Sequence, residues 1–151
     1  MALVEFAILA PLLFALVFGT ITGGLALSRK NSMTNAVREG ARFGATVPES
    51  LTWADSVRDR SVSLAGGDLT NAQVCVELTL GTGTRVTGTP ATCPFTGIPA
   101  IPAGVGPDEC VVRVWAQRTS ELQAVFFTRD LTLKASAVAR FERGGTGSCA
   151  G

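Results

Sequence analysis

"MALVEFAILAPLLFALVFGTITGGLALSRK" occupies residues 1–30 and decides how the rest of the chain is read. From Met1 to Ser28 it holds one charge, Glu5; Arg29 and Lys30 then follow together. A run of this length, at ~1.5 Å per helical residue, is long enough to cross the ~30 Å hydrocarbon layer of a bilayer. A cleaved secretory signal has a basic start, a shorter apolar core and a small-residue cleavage site. Residues 1–28 have no basic flank ahead of them, so they read as a retained transmembrane or assembly helix. Arg29 and Lys30 suit the membrane–water boundary. Pro11 lacks an N–H and is expected to kink or loosen the helix one turn back. Gly19 and Gly23 stand at G-x-x-x-G spacing with Gly24 beside them, which permits close helix packing or is simply tolerated in a membrane helix. The stretch "FGTITGG" is poor in helix formers, so local loosening is expected there.

The helical pattern continues past the charges as an amphipathic segment over 29–46. Met33, Val37, Ala41 and Gly44 fall on one face, with Arg38, Glu39 and Arg42 elsewhere. Pro48 disfavours helix at Val47, so the helix ends there. One helix of roughly 45 residues would be about 68 Å long, apolar all round in its first half and with a single apolar face in its second.

Residues 47–151 read as a separate α+β domain with about three strands, expected outside the cytoplasm. "SLTWADSVRDRSVSLAGG" is a short helix with Ser50 as N-cap, Leu51, Ala54, Val57 and Val62 on one face, and Gly66-Gly67 as its stop. "AQVCVELTL", "ECVVRVWAQRT" and "LTLKASAVARFE" alternate apolar and polar residues and read as half-buried strands. Val74, Val76, Leu78, Val112, Val114, Ala116, Leu131, Leu133, Ala135, Ala137, Ala139 and Phe141 form the apolar face, which the amphipathic helix half is expected to cover. Residues 81–108 read as a long surface loop, and 119–130 ("TSELQAVFFTRD") as a connection whose Phe126-Phe127 plugs the core edge.

The 13 basic and 12 acidic residues leave a net charge of +1, so no field draws the chain to nucleic acid. With no His and no Tyr, the commonest general base and metal ligand are missing. "LGTGTR" lacks the Lys-Ser/Thr of a phosphate loop, and Asp108-Glu109 reads as a solvated turn. No catalysis, metal or cofactor is expected. Cys75, Cys93, Cys110 and Cys149 lack the short paired spacings of a zinc site and read as two disulfides of an oxidising compartment. Four cysteines allow three pairings, and spacing leaves all three open. A meander, which sets the start of the second strand beside the end of the third, favours Cys75–Cys93 with Cys110–Cys149.

"ALVEFAILAPLLFALVFG" followed by "NAVREGARFGA" resembles the TadE-like family of the tight-adherence (type IVc) pilus system, with a weaker echo in "LTLKASAVARFE". The resemblance covers residues 2–46 and implies a pilin-like fold: a long N-terminal helix packed on a small antiparallel sheet. It implies a pseudopilin whose basic leader a prepilin peptidase removes, leaving Met1 as the first mature residue and Glu5 at the family's acidic position. It further implies an inner-membrane assembly platform and copies of itself or related pilins as partners. Membrane lipid would surround the helix before assembly, and the final location would be an extracellular pilus. Glu5 of one subunit would then pair with the Met1 amine of a neighbour, or else favour its own helix N-terminus. A monomeric, membrane-anchored binding or adhesion module that uses loop 81–108 is the alternative reading.

Overall fold

The computed structural model describes residues 2–88, 93–95, 97–124, 127–142 and 149, with the backbone alone described at 2, 122–124, 127 and 128. One helix, α1, runs from Ala2 to Thr46. It continues through Pro11 and through the glycine-rich stretch 18–24, so the expected loosening does not break it. Two threonines in that stretch bond back to the helix: Thr20 Oγ1 donates to the Val17 carbonyl and Thr22 Oγ1 to that of Phe18, each at 2.8 Å. A second helix, α2 (Trp53–Leu64), follows a short turn. The sheet then forms from β1 (Val74–Leu80), β2 (Arg85–Gly88), β3 (Cys110–Ala124) and β4 (Phe127–Arg140). Its order is β2-β1-β3-β4, and every neighbouring pair is antiparallel.

The protein is thus α+β, a long helix on a small antiparallel sheet. The sheet has four strands where the alternation indicated about three, because the short β2 arises inside the segment read as loop 81–108. The segment 119–130 is not a connection. Residues 119–124 and 127–130 form the far halves of β3 and β4, which pair continuously from Val111↔Arg140 to Ala124↔Phe127. Phe126, expected to plug the core edge, lies outside the described residues.

The core is built by α1 from Met33 onward, α2 and the inner sheet face. Met33, Val37, Ala41 and Ala45 pack with Trp53, Val57, Val76, Leu78, Val112 and Val114. Two glycines let α2 sit against α1. A Cβ at Gly40 would collide with the Ser61 hydroxyl, and one at Gly44 would lie 2.9 Å from Val57 and 3.2 Å from Trp53. The Trp53 indole Nε1–H donates to the Gly44 carbonyl at 3.0 Å, filling the gap that the absent side chain leaves.

Helix α2 begins later than the sequence indicated. Its N-cap position is Thr52, and the Ser50 carbonyl accepts the Trp53 N–H at 3.0 Å. Its buried face is Trp53, Val57 and Ser61, one residue per turn, while Leu51 is fully exposed. The large indole outcompetes Leu51 for the groove on α1. Gly66 and Gly67, with φ of 60° and 88°, turn the chain away in the left-handed region that favours glycine.

Strand β1 and the first half of β3, Cys110–Ala116, are buried on both faces rather than half-buried. Cys75, Glu77, Thr79, Arg113 and Trp115 point away from the helices, yet all are buried. The segment after Cys93 covers them. Arg113 Nη1 donates to the Pro99 carbonyl at 3.3 Å, and Arg140 Nη2 donates to that of Gly104 at 3.0 Å. Beneath this cover Glu77 and Arg113, direct partners in the β1–β3 register, form an ion pair at 2.9 Å. Disulfides join Cys75 to Cys93 and Cys110 to Cys149, with Cα–Cα distances of 5.7 Å in both. These are the pairs that the meander order favoured.

Candidate assembly surface

The first half of α1 carries the largest unburied apolar surface among the described residues. From Leu3 to Ile21 every side chain is exposed apart from the half-buried Ala10. Leu3 is 85% exposed and Leu16 66%, values that a folded water-soluble monomer does not sustain along a whole helix. The helix is long and apolar enough to cross a membrane, and none of its most apolar 18-residue window is buried. Phe14 and Phe18 stack one turn apart with ring centroids 6.3 Å from each other.

Glu5 lies in the first turn of α1, exposed, where the partial positive charge of the helix N-terminus favours a carboxylate. Met1 lies outside the described residues. A Cβ at Gly19, Gly23 or Gly24 would meet nothing, so among the described residues none occupies the groove these glycines open. At 3.6 residues per turn, Glu5, Gly19 and Gly23 share one face to within about 40°, whereas Pro11 lies about 120° from Glu5. Glu5 and Gly19 are about 21 Å apart along the axis, so the sequence-derived residues form a stripe and not a cluster.

The sequence reading missed where the domain begins to cover this helix. Thr22, Ala26 and Arg29 are half-buried, spaced as one face, and lead directly into the buried Met33. They face the far half of β3. Arg29 Nη1 donates to Ser120 Oγ at 3.0 Å, and Ser120 is itself buried. Thr22, Leu25, Ala26 and Arg29 line a notch of ≈ 380 Å³ with Arg118, Thr119, Ser120 and Glu121. Arg118 is fixed by Asp68, donating to its carboxylate at 2.9 Å and to its backbone carbonyl at 2.5 Å. One signal was available in sequence: "TSELQAVFFTRD" contains no Gly, Pro or Asn to end a strand.

Residues 1–42 match the family model of the TadE-like protein. The TadE-like resemblance is therefore carried by the apolar half of α1 and most of its amphipathic half, and the match does not extend to "LTLKASAVARFE", residues 131–142. No curated protein and no solved structure matches the chain.

Proposed function

We propose that this chain is a structural pilin or pseudopilin subunit that assembles through α1 into, or at the base of, a type IVc-like pilus. The observation that supports it most is the bare apolar helix half, which coincides with the residues that match the TadE-like family. Such a surface needs lipid before assembly and other helices afterwards. In a filament the domain, with its two disulfides, lies outside the cytoplasm. The partners of this reading are further copies of the chain or related pilins, with a prepilin peptidase and an inner-membrane platform acting earlier.

Two features of α1 fit helix-to-helix assembly. The open groove at Gly19 and Gly23 admits a neighbouring helix to close backbone distance. Glu5 is the single charge of the bare segment. An acid held in hydrocarbon costs about 2.5–3.5 kcal/mol at mid-helix depth on insertion scales, a cost that an amine from a neighbouring subunit's N-terminus offsets. The pair would also fix the axial register between subunits.

Glu5→Ala tests this reading. The variant is expected to insert in membranes and fold as the parent does, but to be lost from filaments seen by electron microscopy. Unchanged incorporation would remove the register role of Glu5, whereas absence of the parent chain itself from filaments would favour a monomeric, membrane-anchored binding module.

A further inference from the structure

We propose that the bilayer surface meets this chain at Thr22, seven residues before its first basic residue, and that the paired far ends of β3 and β4, Glu121–Ala124 with Phe127–Asp130, stand in the phospholipid headgroup layer. The proposal rests on the membrane-inserted state of the subunit described above and adds where the folded domain stands relative to the lipid.

The uncovered part of α1, Leu3–Ile21, is nineteen residues and about 28 Å long, which matches the ~30 Å hydrocarbon layer. A boundary at Arg29 would instead place Leu3–Ser28, about 39 Å, in hydrocarbon. Tilting the helix could absorb that excess, but it would not move the sheet. Arg118, Thr119, Ser120 and Glu121 lie against Thr22–Arg29 and would enter hydrocarbon with it. Each charged side chain there costs about 2.5–3.5 kcal/mol at mid-depth. Strand β4 is also an edge of the sheet, and its unpaired backbone groups would face lipid without partners. A boundary at Thr22 avoids both costs.

The hairpin end then falls at a defined depth. Beyond Ser120 the strands continue from Glu121 to Ala124, paired with Phe127 to Asp130. Four residues of strand extend about 13 Å. The helix rises about 10 Å between Arg29, which holds Ser120, and Thr22. Strand β3 runs back along α1, with Val112 beside Gly44 at one end and Ser120 bonded to Arg29 at the other. The end of the hairpin therefore reaches the level of Thr22. In sequence the paired strand ends, Leu122–Ala124 and Phe127–Thr128, are uncharged and are bracketed by Glu121 and by Arg129 with Asp130. Apolar and aromatic residues flanked by charges suit the boundary between headgroups and acyl chains.

Tryptophan quenching by lipid-borne bromine reads this depth in the full chain. The native Trp53 and Trp115 are buried in the domain and set the background. Leu16→Trp, Leu27→Trp and Phe127→Trp are each reconstituted in phosphatidylcholine vesicles brominated on the acyl chains near the headgroup. Leu16 and Leu27 are 66% and 62% exposed, so neither substitution disturbs the core. Leu16→Trp is expected to lose most of its added emission, Phe127→Trp a substantial part, and Leu27→Trp almost none. Quenching of Leu27→Trp as deep as that of Leu16→Trp would return the boundary to Arg29 and overturn the proposal. So would a Phe127→Trp signal equal to that in unbrominated vesicles; Thr128→Trp gives the same reading should Phe127→Trp fail to fold. Unquenched Leu16→Trp would instead overturn membrane insertion itself, which separates the two failures.

Discussion

The pairing of Glu77 with Arg113 shows what the outer face of the sheet demands of single residues. Both stand where alternation puts a solvent-facing side chain, yet their side chains are only 7% and 11% exposed. Taking either charge out of water is costly, and the 2.9 Å contact with a further bond to the Pro99 carbonyl compensates for it. Removing one partner leaves the other buried and unpaired. Glu77→Ala is therefore expected to destabilise the domain by about 3–5 kcal/mol. The double variant Glu77→Leu/Arg113→Met keeps the volume without the charges and is expected to lie within about 1 kcal/mol of the parent, or above it. Urea unfolding of the two variants checks this, and equal destabilisation of both would refute the account.

At the level of elements, the segment from Cys93 to Gly106 is held down by one disulfide and a few arginine–carbonyl bonds. Cys75 and Cys93 are separated by 18 residues and Cys110 and Cys149 by 39. Chain entropy assigns about 3 kcal/mol to the first closure and about 4 kcal/mol to the second. The first also keeps water from Trp115, which is 4% exposed and lines a cleft with Phe95 and Gly97. Cys75→Ser/Cys93→Ser is expected to lower the unfolding free energy by about 3 kcal/mol and to shift Trp115 emission to the red. Trp53, buried between the helices, should keep its blue emission. Cys110→Ser/Cys149→Ser should destabilise without that shift, so the emission spectrum separates the two bridges. The same elements show how far sequence alone reached. Helix α1 was legible because an uncharged run and then a one-faced run are hard to read otherwise, and the inner sheet face was legible from its period of two. The burial of Glu77, Arg113 and Trp115 was not, because it depends on a cover of Gly, Pro and Thr that carries no periodicity. The long hairpin escaped notice because Thr119–Glu121 are polar, and they are polar where they meet Arg29 and the notch beside Thr22.

Taken whole, the molecule stores its stability and its insolubility in different places. Every buried residue of α1 lies at Met33 or beyond, and the half-buried stripe begins at Thr22. Among the described residues, the bare segment before it contributes no contact to the core. A chain shortened to residues 22–151 is thus expected to be soluble without detergent and to form both disulfides. Its unfolding midpoint should equal that of the full chain when both are measured in the same mild detergent. Shortening further to 29–151 removes Thr22, Leu25 and Ala26 from beside the hairpin while sparing the core. Thr22 and Ala26 are only half-buried and Leu25 is exposed, so the added loss should be about 1 kcal/mol. It should fall on the far half of β3 and β4, because Arg29 becomes the first residue of a fraying helix and its bond to Ser120 loses its support. Hydrogen exchange resolves this. In 29–151 the amides of 118–121 and 130–133 should exchange faster than in 22–151, while those of 111–116 stay protected. Equal protection at all these amides would mean that the hairpin stands without α1. The helix segment from Thr22 to Ser28 would then be free of any role in holding it at the membrane.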